Sequence, residues 1–235
     1  MLFIPKNMIT AISASTEDPE YRAAWALDED PLRAWRSTAA SGTLTLTVST
    51  GDTLKLTNHN ADSVTVTIKT MADAVIHGPV AYDFSALAHD NDSLWHGYPY
   101  QAEPHKIVVD FSDTRSTPAY CGGAFAGPRM TVAGPDDLAE INYIDHSIVR
   151  QSSAGGRIAT KKAMKRRFSV TLTLDWSTVL PEAILNVKNT LLKRCLPWRI
   201  TDDDGAVHGV FGYLDNVAPI EFGNRGVIRL EIIER

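Results

Sequence analysis

Cysteine and long apolar runs are scarce in this sequence. Only two cysteines, Cys121 and Cys195, occur among 235 residues, and they lie far apart. Because nothing in their spacing supports a disulfide, we expect both to be reduced, buried and inert in a protein made in the cytoplasm. No apolar stretch reaches the roughly 18 residues that span a bilayer, and the start MLFIPKNMIT lacks the sustained apolar core of a secretory signal. We therefore expect no membrane insertion.

An overall excess of positive charge is also missing. The formal net charge is -5, from 23 basic and 28 acidic residues. A dedicated nucleic-acid-binding domain is usually basic throughout, so we expect no specific nucleic-acid partner. With 44% hydrophobic and 22% charged residues, the chain has the composition of an ordinary globular protein. Its length allows one large all-β domain or two modest ones.

The sequence lacks the short motifs of common catalytic sites: G-x-S-x-G, G-x-x-x-x-G-K, H-E-x-x-H and C-x-x-C. The glycines of CGGAFAGP precede no Lys-Ser or Lys-Thr pair, and they predict a tight backbone crossing beside a strand. Asp145, His146 and Ser147 are consecutive, but neighbours on a strand point to opposite faces and do not form a triad. We expect no enzymatic activity and no cofactor.

Two acidic turns lack the donor pattern of a calcium loop. TDDDGAVHG and HDND contain clustered carboxylates, but neither has spaced donors followed by a bidentate Glu. We interpret both as solvated turns and expect no metal site. His59 lies in NHN, a tight turn between strands, where a hydrogen-bonded structural histidine is favoured over a ligand contact.

Alternation of apolar and polar residues predicts a β-rich first part, residues 1–150. In the clearest stretch, residues 41–70, Thr and Leu or Val alternate between turn residues, which indicates consecutive antiparallel strands. Further strands are predicted at 106–111 and 128–133. Residues 71–104 are predicted to form a long irregular segment, and such a segment is usually a functional or interface loop.

The second part, residues 151–235, is predicted to be a smaller β domain with one helix. RRFSVTLTLDW places Phe168, Val170, Leu172 and Leu174 on one strand face. Apolar residues at helical spacing predict a helix near 179–194, and three strand candidates follow it. The domains are expected to join near QSSAGG, residues 151–156.

A concentrated basic segment precedes that strand. It contains no acid and six cations: Arg157, Lys161, Lys162, Lys165, Arg166 and Arg167. Nucleic acid, a membrane surface or an acidic neighbouring subunit would each explain it, and a solvated charged hairpin would need no partner. Composition alone does not choose among them.

Four ring-bearing residues form the second candidate site. They fall within six positions of the long segment: Trp95, His96, Tyr98 and Tyr100. Such rings suit sugar stacking or a subunit contact. The alternative is that the loop folds back and buries them as a small core.

Residues 21–39, YRAAWALDEDPLRAWRSTA, resemble the entry segment of discoidin-type, galactose-binding-like jelly rolls. The matching residues are Ala26, Leu27, Asp28, Asp30, Pro31, Trp35 and Ser37. Glu29 replaces the usual glycine, so no calcium-type loop is expected. The resemblance implies an N-terminal jelly-roll β-sandwich in which Trp35 belongs to the core.

A second resemblance extends over most of the chain. LTNHNADSVTVTI, CGGAFAGPRM, INYIDHSIVRQSSAGGR, RRFSVTLTLDW, PWRITDDDGAVHGVFGYL and GVIRLEIIE together resemble a group of tailed-bacteriophage virion proteins. These couple a discoidin-like jelly roll to a tail-tube or distal-tail β domain with one helix. The resemblance implies a structural subunit of a distal tail or baseplate, assembled in the host cytoplasm.

In such a subunit the basic segment is an arm that reaches the next copy. The implied partners are further copies, in a trimer or hexamer, and other tail proteins. The acidic residues that pair with the basic arm would lie near the entry segment or in TDDD. Complementary charge would fix the register of one copy against the next. Contact with DNA in the tail lumen is a further alternative.

Two rival functions remain. The first is a module that binds host surface glycans through the rings of residues 95–100, or through Trp25 and Arg36. The second is a tail-borne glycosidase, which needs two carboxylates roughly 5–10 Å apart in a cleft.

Overall fold

The computed structural model describes residues 2–28, 33–85, 92–114, 117–131, 138–144, 148–151, 157–160, 165–175, 195–201, 207–221 and 225–234. The chain divides into two compact units, which are described separately. An N-terminal unit comprises Ile4–Met130, and a C-terminal unit comprises Met1–Phe3 with Thr131–Arg235. Both are built from antiparallel strands, which confirms the predicted mainly β fold class.

The strands up to the boundary are β1 Leu2–Phe3, β2 Ile9–Ala14, β3 Trp35–Arg36, β4 Ser41–Val48, β5 Gly51–His59, β6 Ser63–Thr70, β7 Val75–Asp83, β8 Asp92–Gln101, β9 His105–Ser112, β10 Tyr120–Gly127 and β11 Met130–Thr131. A short 3-10 helix spans Ala23–Leu27. The N-terminal unit has a five-stranded sheet, β2-β4-β9-β6-β7, and a four-stranded sheet, β3-β10-β5-β8. Residues of both sheets share one hydrophobic core, as in a β-sandwich.

The predicted alternation positions this core. On β4, Leu44, Leu46 and Val48 are fully buried, while the threonines between them are only partly covered. This is the period-two pattern of a strand with one face in the core. Trp35 is also fully buried, and its indole Nε1 donates a hydrogen bond to the carbonyl oxygen of Thr16 at 3.2 Å. Its place in the core agrees with the expectation for this residue.

The prediction of an irregular segment over residues 71–104 is wrong. That stretch contains a nine-residue strand, β7, and most of a ten-residue strand, β8, and each lies at the edge of its sheet. Both carry glycine and proline, which weaken a strand pattern in sequence. Edge strands tolerate proline because one side of their backbone has no ladder partner.

The glycine-rich strand β10 crosses the N-terminal segment closely, as CGGAFAGP predicted. The backbone N–H of Met8 donates to the carbonyl oxygen of Ala126 at 2.7 Å. A Cβ atom added at Gly127 would lie 2.6 Å from the carbonyl oxygen of Lys6. Only glycine therefore fits at this crossing.

The remaining strands are β12 Leu138–Ile144, β13 Ile148–Gln151, β14 Arg157–Thr160, β15 Lys165–Asp175, β16 Cys195–Thr201, β17 Val207–Glu221 and β18 Arg225–Glu234. A seven-stranded sheet has the order β11-β1-β16-β17-β18-β15-β12, and β13 and β14 form a two-stranded sheet. Phe168 and Val170 on β15 are buried, as are Trp198 on β16 and Ile232 on β18. The predicted helix near 179–194 lies outside the described residues.

The division between the units differs from the predicted join near residues 151–156. It falls at Thr131, because β12 pairs with β15 along its whole length, from Leu138 opposite Thr171 to Ile144 opposite Lys165. Strand β12 was assigned by sequence to the first domain. Its partner was assigned to the second, and short-range patterns do not reveal such a pairing. In the described part of the chain, no helix is long and apolar enough to cross a membrane.

Candidate functional site

The basic segment belongs to a long antiparallel hairpin of the C-terminal unit. Gln151 of β13 lies opposite Arg157 of β14, and Ile148 lies opposite Thr160. At its base, Ile144 of β12 lies opposite Lys165 of β15. The two ladders differ in register by one residue. They are therefore successive sections of one hairpin, and among the described strands the outer section pairs only with itself.

Four of the six predicted cations are described, and they occupy different parts of this hairpin. Arg157 begins β14, and Lys165, Arg166 and Arg167 begin β15. Lys161 and Lys162 lie outside the described residues. The side chains at 165–167 are half-buried. The structure thus brings the described members of the set to one element.

Two of the cations at the base have partners within their own unit. The Nη2 atom of Arg167 lies 3.8 Å from a carboxylate oxygen of Asp215. The guanidinium of Arg166 lies 5.5 Å from the ring centroid of Phe168. The first contact ties β15 to β17, and the second lies within β15.

Sequence reasoning missed one cation of the same element. Arg150 lies on β13 opposite Ile158. Residues 146–174 contain seven Lys or Arg and no Asp or Glu. The length of this acid-free run is the sequence feature that could have included Arg150 in the basic segment. Only strand pairing shows that the two halves of the run form one hairpin.

The four candidate rings lie along β8, and two of them face the interior. His96 and Tyr98 are 2% and 6% exposed. The Nδ1 atom of His96 lies 2.7 Å from the hydroxyl oxygen of Tyr82 on β7. The hydroxyl of Tyr98 lies 3.0 Å from Nε2 of His105 on β9. This arrangement corresponds to the alternative in which the rings fold back as a small core.

Hydrogen bonds fix the protonation of this interior ring layer. Nδ1 of His105 lies 3.0 Å from the carbonyl oxygen of Glu103, which only accepts, so Nδ1 carries the proton and Nε2 accepts from Tyr98. Burial lowers the pKa of His105, and burial together with His77 lowers the pKa of His96 to about 4. Burial raises the pKa of Tyr98. The layer is therefore neutral near pH 7.

The other two rings of β8 lie elsewhere. Trp95 is half-buried, with the Nζ atom of Lys55 5.2 Å from its ring centroid. Tyr100 is 60% exposed, and its hydroxyl lies 3.1 Å from Oγ1 of Thr50. Of the four predicted contact residues, Tyr100 is therefore the one most available to a partner.

His59 is buried in the core without the predicted hydrogen bond. Neither ring nitrogen has a hydrogen-bond partner among the described residues. The rings of Phe84 and Phe111 pack edge-on against it at 4.7 and 6.3 Å between centroids. Burial, followed by the nearby charge of Lys55, lowers the pKa of His59 to about 4. An uncharged ring that packs as an aromatic does not act as a base near pH 7.

Of the two cysteines, only Cys121 has a side chain that the structure describes. Cys121 is free and fully buried, as predicted. Burial raises the pKa of the Cys121 thiol to about 12, so the thiolate that nucleophilic chemistry needs does not form near neutral pH. The side chain of Cys195 lies outside the described residues.

A buried polar network was not predicted from sequence. Asn60 accepts a hydrogen bond from the backbone N–H of Tyr120 at 2.8 Å and donates one to the carboxylate of Asp113 at 3.4 Å. Asp62 accepts hydrogen bonds from the backbone N–H and the hydroxyl of Thr114. Both carboxylates thus tie the connection after β9 to the turn after β5. No group of three metal-ligating side chains occurs in the described ranges.

No protein-family model matches the chain. No curated protein matches it. Among solved structures, it is similar to chitosan-binding module 1 derived from a chitosanase/glucanase of Paenibacillus sp. IK-5, with 13% identity, 53% of this chain and 98% of that chain covered, and a TM-score of 0.39. It is also similar to reduced XRCC1 bound to the catalytic domain of DNA polymerase β, with 15% identity, 54% and 99% coverage, and a TM-score of 0.40.

Proposed function

We propose that this protein is a structural subunit of a long-tailed phage, in the distal tail or baseplate, and has no catalytic activity. It assembles in the host cytoplasm into a trimeric or hexameric ring and links the tail tube to the tip or fibres. The N-terminal unit lies on the outside of the particle, and the C-terminal unit closes the ring. The resemblance of the segments quoted above to phage tail proteins motivates this proposal.

The observation that carries the proposal is the cationic hairpin. A β-hairpin places its cations on a stiff two-stranded support rather than on a flexible tail. The outer section, β13 and β14, has no other described strand beside it. A stiff, single-signed projection is suited to docking on an oppositely charged neighbour, where charge complementarity steers association and fixes register.

The acidic counter-surface belongs to a neighbouring copy. The N-terminal unit exposes Glu17, Glu20 and Asp28, and the whole chain has five more acidic than basic residues. A basic hairpin on an otherwise acidic chain favours head-to-tail contact between copies. Such heterologous contacts form a ring when the rotation that relates successive copies closes.

A glycan-binding function centred on β8 is less favoured. His96 and Tyr98 are occupied in interior hydrogen bonds, and the ring of Trp95 lies beside Lys55. Sugar stacking needs an open ring face, and in this set Tyr100 alone is largely exposed.

Immunogold labelling of intact particles with antibodies against this chain tests the proposal. We expect label at the tail end, and we expect the chain among the particle proteins detected by mass spectrometry. Unlabelled particles that also lack the chain would overturn the phage-tail function. Label confined to the head would overturn the assigned position.

A further inference from the structure

Two histidines from different sheets meet on one side of the N-terminal unit. His77 lies on β7, the edge strand of the five-stranded sheet, and His96 lies on β8, the edge strand of the four-stranded sheet. Their ring centroids are 5.5 Å apart, and the ring planes are inclined at 36°. We call these two residues the histidine pair.

An extra residue in β7 turns His77 toward the interior. Val66 of β6 pairs with Val80, whereas Ile68 pairs with His77, so three steps along β7 match two steps along β6. Directly opposed residues share a face of the sheet, and Val66 and Ile68 are fully buried. In unbroken register His77 would lie opposite Lys69, on the other face. The bulge therefore re-aims a polar ring inward, as bulges next to functional sites do.

One nitrogen of the histidine pair is buried without a partner. His96 is 2% exposed, and its Nε2 atom has no hydrogen-bond partner among the described residues. An unpaired buried polar atom costs free energy and calls for an explanation. A bound metal ion that accepts the lone pair of this nitrogen would remove the cost.

Tyr82 determines how Nε2 of His96 can be used. The other ring nitrogen, Nδ1, lies 2.7 Å from the Tyr82 hydroxyl oxygen. When Nδ1 carries the proton and donates it to this oxygen, Nε2 holds a lone pair. Metal-binding histidines are oriented in this way, through a hydrogen bond from the nitrogen that does not bind the metal. Burial raises the pKa of Tyr82, so its hydroxyl stays neutral.

The spacing of the two rings suits a shared metal ion. Imidazole nitrogen binds Zn²⁺ at about 2.0–2.1 Å, which places the ion about 3.2 Å from each ring centroid. Two such rings at a tetrahedral angle have centroids about 5.2 Å apart, and the observed separation is 5.5 Å. His77 is half-buried, so an ion can reach the pair from solvent.

The donor atoms select the class of ion. Imidazole nitrogen suits zinc and other late first-row metals, whereas Ca²⁺ and Mg²⁺ prefer oxygen. Within the described ranges, no third metal-ligating side chain completes a cluster, so water fills the remaining positions of the ion. The acidic turns TDDDGAVHG and HDND offer mainly oxygen donors and belong to the other class.

We propose that the histidine pair binds one Zn²⁺ or a similar late divalent metal ion, through Nε2 of His96 and a ring nitrogen of His77. Tyr82 is a positioning residue for this site. The ion joins the edge strands of the two sheets, β7 and β8. Short-range sequence patterns do not predict the site, because only the packing of the two sheets brings residues 77 and 96 together.

Isothermal titration of the EDTA-treated and dialysed full chain with zinc chloride tests this proposal. We expect one saturable site per chain, weakened about tenfold or more in His77→Ala and in Tyr82→Phe. His208→Ala is the matched control, because it removes a histidine of β17 in the C-terminal unit. Zinc should raise the unfolding temperature of the wild type and of the control, but not that of His77→Ala. Unfolding temperatures without zinc show that each variant is folded.

Each outcome decides the proposal. Loss of the site in His77→Ala with retention in His208→Ala supports it. A wild-type chain without saturable zinc binding overturns it, as does zinc binding that survives His77→Ala. Equal affinity for Ca²⁺ would assign the site to oxygen donors and overturn the histidine assignment. Unchanged affinity in Tyr82→Phe would overturn the positioning role of Tyr82. None of these results depends on whether the chain forms rings or labels a tail.

Discussion

The N-terminal unit buries the polar rings of His59, His96, Tyr98 and His105, and only some of their polar atoms have hydrogen-bond partners among the described residues. Tyr98 and His105 satisfy one another, whereas His59 has two ring nitrogens without a hydrogen-bond partner among the described residues. Satisfied buried polar groups contribute modestly to stability, while unsatisfied ones cost the full desolvation of the group. Apolar substitutions at His59 and at Tyr98 should therefore change the free energy of unfolding in opposite directions.

Replacing His59 by leucine should stabilise the protein. The change removes two unpaired nitrogens from a site lined by Phe84 and Phe111 and keeps an apolar side chain of similar size. We expect the free energy of unfolding to rise by about 1 kcal/mol, measured by urea denaturation at pH 7. Destabilisation by more than about 1 kcal/mol would show that the imidazole packs or bonds in a way that leucine does not replace.

Tyr98→Phe should destabilise the protein. It leaves Nε2 of His105 buried without its donor, which costs about 1–3 kcal/mol. Tyr100→Phe is the matched control. That hydroxyl lies on an exposed side chain, so its removal should cost less than about 0.5 kcal/mol. Equal effects in urea denaturation would contradict the different burial of the two rings.

Stability should fall on acidification through a defined pH window. The pKa of His59 and of His96 is lowered from 6.5 to about 4 in the folded protein. Between these values the unfolded chain takes up protons that the folded chain does not. Each group therefore lowers the free energy of unfolding by up to about 1.4 kcal/mol per pH unit as the pH falls from 6.5 to 4.

Urea midpoints at several values between pH 7 and pH 4 measure this slope. His59→Leu should make it shallower, because one of the histidines with a lowered pKa is gone while His96 and His105 remain. The pKa of Asp73 is lowered by its hydrogen bond with Lys106, so its contribution is lost below pH 3.8 and does not overlap the window. An unchanged slope in His59→Leu would contradict a neutral buried imidazole at this position.

At the scale of elements, the central strands were predictable and the edge strands were not. The sequence of β4, β5 and β6 alternates between apolar and polar residues, and on β4 the apolar face alone is buried in the core. β7 and β8 carry Gly and Pro, which a sheet edge tolerates but a sequence pattern reports as loop. The acid-free run around Arg157 was visible in sequence. The contact of Lys55 with Trp95 was not, because it depends on the register of β5 against β8.

The close crossing at β10 gives a prediction at this scale. Gly127→Ala places a methyl group 2.6 Å from the carbonyl oxygen of Lys6, so backbone must move, and we expect a loss of about 1–3 kcal/mol. In the matched Gly97→Ala variant, the nearest atom is the flexible Nη1 of Arg129 at 3.2 Å, and the loss should be smaller. Thermal unfolding of the two variants compares them, and a larger loss for Gly97→Ala would contradict the crossing.

At the scale of the whole molecule, an acidic chain carries a run of cations on paired antiparallel strands. The order of residues shows only that cations cluster in one acid-free run, residues 146–174. The pairing of β12 with β15 and of β13 with β14 brings the two halves of that run together. We propose that the hairpin binds a partner outside its own chain, and neither the sequence nor a single chain's contacts identify such a partner. The central claim is that this partner is another copy.

The mass of the purified full chain tests this claim most directly, at low and at high salt. We predict a trimer or hexamer at low salt that dissociates as salt screens the contact, and a monomer for the double variant Arg157→Glu with Lys165→Glu. The control Lys6→Glu with Lys69→Glu changes the net charge equally on the N-terminal unit and should still form the ring. A wild-type chain that stays monomeric, or a ring that survives reversal of the hairpin charges, would contradict the claim.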